Sequence, residues 1–233
     1  MIFIGKIINS PILWFVVTII IYKIAEQFKK HLFFSKIPPT CLAAISLIFL
    51  LKICSIKYQC YNSGGSLITY LLGPATIALA LPLVKSFDIL KQNFKVILAG
   101  VSIATFTGIF SVYLIAEILK ATKPIVLSLI PKAVTTPIAV EISKSIGGIP
   151  ELTAAIVVIT GLTGYLFGHK LLKILKIKNN ISIGLAIGSS SHVIGTSRCM
   201  EISPVQAAIS SISLILVGFL TAILAPLIVR LLY

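Results

Sequence analysis

The chain has 233 residues, of which 58% are hydrophobic and 11% charged, with a mean hydropathy of +1.09 and a formal net charge of +14. A soluble domain carries about 25% charged residues, so a globular enzyme with a polar surface is excluded, and the apolar excess equally excludes disorder. What remains is an all-α, polytopic integral membrane protein, because several apolar runs reach the ~20 residues that a bilayer crossing requires.

Twenty basic residues stand against six acids. The lysines sit mainly between apolar runs, where they set topology against an anionic inner leaflet. That placement argues against nucleic acid as a partner and points to the lipid bilayer. The chain is expected to cross a membrane in multiple passes, with its lysine-rich loops on the cytoplasmic side. Cys41, Cys54, Cys60 and Cys199 have no metal-ligand spacing, and no metal or cofactor is expected.

The N-terminus is apolar from Met1 and lacks a basic leader and a small-residue cleavage site, so an uncleaved first span is expected, about Ile8 to Ala25. A basic loop leads to Pro38-Pro39 and a second span, about Pro39 to Ile56. The polar stretch YQCYNSGGS precedes a third, about Leu67 to Val84, which Pro74 and Pro82 interrupt. The fourth, about Val96 to Leu119, is unbroken. These elements make an N-terminal four-span region, 1–124.

Residues 125–233 change character and form a two-repeat core. Segment 125–149 is apolar in outline but carries Pro131, Lys132, Pro137, Glu141 and Lys144. A clean span follows, about Leu152 to Phe167, and then a lysine-rich loop. Segment 181–202 is again unusual, and the final span runs from about Val205 to Val229. VEIS at 140–143 recurs as MEIS at 200–203, and PELTAAI at 150–156 is echoed by PVQAAI at 204–209. In that register Thr136 falls opposite Thr196 and Lys132 opposite His192. The expectation is about six full transmembrane helices plus two discontinuous or re-entrant segments.

Loops 23–36, 85–95 and 170–178 are richest in lysine, which assigns them to the cytoplasm. Segment 125–149 then enters and leaves on the outer side and 181–202 on the inner side. The repeats are inverted, with their breaks meeting near the midplane. The competing topology lets each broken segment cross fully as two half-helices.

Irregular backbone at membrane depth is tolerated only inside protein or along a water-filled cavity. That directs attention to PKAVTTP and GSSSHVIGTSR. The first offers Lys132, the hydroxyls of Thr135 and Thr136, and a half-helix N-terminus behind Pro137, which together suit a small anion. The second offers Ser190, Ser191, Thr196 and Arg198, whose fork matches a carboxylate. These seven residues are the substrate-binding candidates. His192, Glu141 and Glu201 are proton-coupling candidates. Arg198 with Glu201 has helical ion-pair spacing, as has Glu141 with Lys144. Pro74, Pro131, Pro137 and Gly195 are the structural breakers. No hydrolase, phosphate-loop or dinucleotide motif is present, so no catalytic residue is assigned and an enzyme is not expected.

At LLGPATIALALPL (71–83), LIPKAVTTPIAVEISKSIGGIPELTAA (129–155) and GLAIGSSSHVIGTSRCMEIS (184–203) the chain resembles the LrgB/CidB family, including its YohK branch. The resemblance covers nearly the whole chain. Ala133 stands where the family usually has Ser, and Ser197 where it often has Ala. The resemblance implies two functions. One is antiholin-like regulation of murein hydrolase activity and cell lysis. The other is carboxylate transport, because plastid relatives are similar to a glycolate/glycerate translocator and some bacterial members look like pyruvate importers. It also implies a small holin-like LrgA/CidA-type partner. The physical reading favours a secondary transporter, or the transport subunit of a two-component system, for a small hydroxy- or keto-carboxylate. A homo-oligomer is compatible with either function.

Overall fold

A computed structural model describes residues 10–28, 37–71, 74, 77, 84 and 87–233. The chain divides into two compact units, Met1–Ile77 and Ala78–Tyr233. Among the described residues every regular element is helical. Among the described residues four helices are long and apolar enough to cross a membrane: Pro11–Phe28, Phe94–Ile118, Pro150–Ile174 and Pro204–Leu232.

The first unit contains α1 (Pro11–Phe28), α2 (Pro39–Ile53) and α3 (Tyr58–Tyr70). Pro39 occupies the first turn of α2, where a missing N–H costs nothing. The polar stretch YQCYNSGGS is itself helical. Ser63 and Ser66 donate back to the carbonyls of Cys60 (2.7 Å) and Ser63 (2.9 Å), which satisfies their hydroxyls within the helix. Gly64 lets α3 approach the Pro11–Phe15 backbone, and Tyr61 meets the buried Trp14 edge-on with ring centroids 5.9 Å apart. The span expected at about Leu67 to Val84 lies mostly outside the described residues, although Pro74 is helical and exposed.

The second unit begins with α4 (Phe87–Gln92) and α5 (Phe94–Ile118). At 1.5 Å per residue α5 is about 37 Å long, enough to cross a hydrocarbon core of about 30 Å. Ile97, Val101, Thr105, Ile109, Val112 and Ala116 form its buried stripe at helical spacing, and Ile103, Phe106 and Phe110 project outward. This polarity suits a helix with protein on one side and lipid on the other.

Then come α6 (Lys123–Leu129), α7 (Thr136–Ile146) and α8 (Pro150–Thr163). A π-helical turn, Gly164–Gly168, joins α8 to α9 (His169–Ile174). These last three pieces form one span, Pro150–Ile174, which is longer than the run read from hydropathy because His169, Lys170 and Lys173 continue the helix. The chain closes with α10 (Asn180–Ile202) and α11 (Pro204–Leu232).

Segments 125–149 and 181–202 both double back. In the first, the Ile149 N–H donates to Ser128 Oγ at 2.7 Å, so the segment ends beside its own first arm. Thr153 Oγ1 lies 3.0 Å from the Ser128 carbonyl, 2.7 Å from Ser143 Oγ and 3.1 Å from the Ile149 carbonyl. With one proton it donates to one of these at a time. Gly147, at φ +87°, closes α7 in the left-handed conformation.

The second reversal is sharper. An unbroken helix would hold Asn180 and Gln206 about 39 Å apart, yet Gln206 Nε2 donates to Asn180 Oδ1 at 2.9 Å. The chain turns at His192, whose φ of 41° and ψ of −144° interrupt α10. Gly195 then lets the returning arm lie against the first. A Cβ there would sit 3.1 Å from Ile187 Cγ2 and 3.3 Å from Ser191 Oγ. Glycines at 184 and 188 seat the first arm directly on the α11 backbone.

Candidate functional site

The two hairpins approach the Pro150–Ile174 span from opposite ends. The first is fastened at Ile149 and Thr153. The second is fastened near the other end, where His169 Nε2 lies 3.0 Å from Gln206 Oε1. Gln206 Nε2 already donates to Asn180, so its Oε1 accepts and His169 Nε2 carries the proton. Both tips therefore arrive at the middle of the span.

At the first tip, residues 130–135 form turns between α6 and α7. Pro131 is buried there, and Pro137 stands in the first turn of α7, which it initiates. Lys132 is half-buried and forms no ion pair among the described residues. Thr135 precedes α7 in extended backbone but makes no cap bond. Its Oγ1 is buried with no hydrogen-bond partner among the described residues. Thr136 opens the helix, partly buried.

At the second tip His192 is 3% exposed, and its Nε2 lies 2.8 Å from the Val157 carbonyl. A carbonyl oxygen only accepts, so this nitrogen carries the proton. The ring rests on Gly161, where a Cβ would come within 2.5 Å of His192 Cε1, and Ser191 occupies the space that Gly164 leaves open. Ser190 Oγ donates to the Ala186 carbonyl at 2.8 Å and lies 2.9 Å from Ser191 Oγ. Ser189 and Thr196 are buried, with Oγ and Oγ1 lacking partners among the described residues.

Between the tips is an open groove of about 390 Å³. Lys132 comes from the first hairpin, Ser190 and Ser191 from the second, and Thr160, Thr163 and Gly164 from the span between them. Ile159, Phe167, Gly168 and Leu171 complete the wall. One cation, several hydroxyls and an apolar wall suit a small anion. An ammonium in such surroundings gains from a charged partner far more than it does in water.

Three of the seven substrate-binding candidates, Lys132, Ser190 and Ser191, line this groove. Thr135, Thr136, Thr196 and Arg198 stand outside its lining. Arg198 Nη1 donates to Glu201 Oε2 at 2.6 Å, with side chains 38% and 33% exposed. The Tyr165 hydroxyl donates to Glu201 Oε1 at 3.3 Å, and the guanidinium carbon lies 5.7 Å from the Tyr165 ring centroid. Glu141 pairs with Lys144 at 2.8 Å on an exposed surface.

Sequence reasoning did not single out Thr160 and Thr163, which resemble any other residues of a clean span. Their signal is the helical spacing that places them beside Gly161, Gly164 and Gly168. Nor does the sequence by itself reveal that the His169 ring bonds the buried Gln206. Among the described residues no cluster of three metal-ligating side chains occurs.

The model of the LrgB-like family matches residues 18–231. An uncharacterized protein of Haemophilus influenzae is 40% identical over 91% of this chain and 90% of its own length. The uncharacterized protein YwbG of Bacillus subtilis is 39% identical over 81% of this chain and 84% of its own. The antiholin-like protein LrgB of Bacillus subtilis is 38% identical over 95% and 96%. No solved structure matches the chain. The match of nearly the full length to one family model, reinforced by these identities, establishes that this membrane protein belongs to the LrgB-like family.

Proposed function

We propose that the chain is the transport component of an LrgB-type membrane system and carries a small hydroxy- or keto-carboxylate through the groove between its two hairpin tips. The observation that carries this reading is Lys132, a half-buried cation without an ion pair among the described residues, facing hydroxyls at the middle of a span. In this reading the hairpins are re-entrant segments of an inverted repeat in the inner membrane. Lys132 receives the carboxylate, and Ser191 and Thr160 donate to its oxygens. Ser190 and Thr163, whose protons go to the Ala186 and Ile159 carbonyls, accept from a substrate hydroxyl. Thr135, Thr136 and Thr196 flank the tips outside the groove lining and meet the substrate when the tips part. Arg198 and Glu201 brace the second arm, with Glu201, His192 and Glu141 the groups available for proton coupling.

The experiment is uptake of labelled glycolate, glycerate and pyruvate into proteoliposomes, with and without a small holin-like partner. Saturable uptake that Lys132→Ala abolishes is expected. The absence of carboxylate-dependent flux under every condition overturns the reading.

A second reading has its own support. The 38%-identical relative from Bacillus subtilis is named antiholin-like, and this name stands closer to a regulator of murein hydrolase activity and lysis than to a transporter. On that reading the chain acts on a holin-like partner in the membrane. Deleting its gene changes autolysis, and Lys132→Ala restores normal lysis as well as the parent does.

A further inference from the structure

His192 combines three features that occur together nowhere else among the described residues. It is a non-glycine residue at positive φ, it is buried, and it is the point where a hairpin reverses. Its φ of 41° and ψ of −144° lie outside the left-handed well open to ordinary residues, near the region that glycine alone visits freely. Such a conformation persists only where the surroundings over-determine it. Here the surroundings are explicit. The imidazole Nε2–H donates to the Val157 carbonyl at 2.8 Å, and Gly161 admits the ring. The two residues before His192 are Ser190 and Ser191, which line the groove opposite Lys132.

We infer that His192 is a positioning residue, a latch that holds the second hairpin tip against the Pro150–Ile174 span, with Ser190 and Ser191 at the groove, by setting its bond to Val157 against a strained backbone. Breaking the bond releases the strain, and Ser190 and Ser191 withdraw from the groove. The inference rests on the reading of the groove as the carboxylate site, but its test reads the tip directly and needs no flux. The latch also differs from proton coupling in what it demands of the residue. A proton carrier needs a titrating ring whatever its backbone does, whereas a latch is needed only while the backbone is strained.

The test is thiol labelling in proteoliposomes without substrate. The reporter is the buried Ser189→Cys, in a chain whose Cys41, Cys54 and Cys60 are replaced by Ser and Cys199 by Ala. His192→Ala keeps the strain and removes the bond, and labelling is expected to accelerate about tenfold or more. His192→Gly removes the bond and the strain together, and labelling is expected to stay within about twofold of the parent. Equal labelling rates in the two variants overturn the latch, whether or not either variant transports carboxylate. An alanine variant that fails to fold beside a glycine variant that folds supports the latch. Failure of both overturns it, because relieving the strain should make the bond dispensable.

Discussion

The first hairpin reverses over residues 130–135, with Pro131 inside the turn and Pro137 just beyond it, and neutral hydroxyls on Ser128, Ser143 and Thr153 fasten its base. The second reverses at His192 alone, and an ion pair, a tyrosine and an imidazole–amide chain hold its arms. Prolines restrict the backbone through covalent geometry and need no tertiary partner to do so. A histidine at positive φ has no such internal reason, so the second turn depends on Val157 and Gly161 of the neighbouring helix. One hairpin therefore carries its turn in its own sequence, and the other borrows it from the span between them.

The bases differ in the same sense. The first hairpin leaves through Gly147, Gly148 and Ile149, a short linker closed by a left-handed glycine. The second passes to α11 through Ser203 alone, in extended backbone at φ −156°. A longer exit lets α7 settle against α8, whereas the direct exit leaves α10 pressed along α11.

The sharpest way to break the comparison is at the glycines that seat α10. Gly188 faces the Ser210 backbone, which cannot rotate away. Gly188→Ala is therefore expected to cost about 3 kcal/mol and to remove the monodisperse species in detergent size exclusion. At Gly148→Ala the nearest atom is Ser143 Oγ at 2.5 Å and the nearest backbone atom is Ser128 N at 2.9 Å, a looser backbone approach than at Gly188, so the change is expected to cost less. Equal losses would show that the two hairpins are seated alike.

Gly164→Ala comes next. Its Cβ would occupy the place of the Ser191 side chain, and a cost of about 2 kcal/mol is expected. The added signature is accelerated thiol labelling at the buried Ser189→Cys, with no change at a cysteine placed in the first tip. A change at both tips would mean that they move as one body.

Thr153→Val tests the hydroxyl base of the first hairpin. Intramembrane side-chain hydrogen bonds contribute about 1 kcal/mol or less, so a modest loss of thermal stability is expected. Hydrogen exchange should quicken in α7 and remain unchanged in α10. Protection lost equally in both helices would contradict a local base.

Glu201→Gln is expected to have the smallest effect. The pair with Arg198 is about one-third exposed, and pairs in contact with solvent contribute about 0.5 kcal/mol or less. A thermal shift as large as that of Thr153→Val would show that the ion pair, rather than the glycine seats, secures the second arm.

Much of this arrangement was legible in the residues. The recurrence of VEIS as MEIS places Lys132 opposite His192, and both occupy hairpin tips. The prolines of the first tip marked a break that the backbone makes. The second tip was legible only in outline. Gly195 read as a breaker, yet it lies within the returning arm and serves close packing, while the break falls at His192, a residue that attracted attention for its titrating ring. Arg198 drew notice as a rare charge, and its i,i+3 spacing to Glu201 already contained the ion pair that holds it. The groove wall was invisible in sequence, because Thr160 and Thr163 become partners of Lys132 only when the first hairpin folds back against their helix.

Composition and the order of apolar runs determined, by themselves, that this chain is an all-helical membrane protein with two interrupted segments near its C-terminal end. Hydropathy and proline act locally, so a linear string is enough to read them. Tertiary structure alone decided that Lys132, Thr163 and Ser190 share one groove and that a histidine turns the second hairpin. Those outcomes depend on which backbones approach closely enough for a glycine, a carbonyl and an imidazole to meet, and no linear pattern encodes that distance.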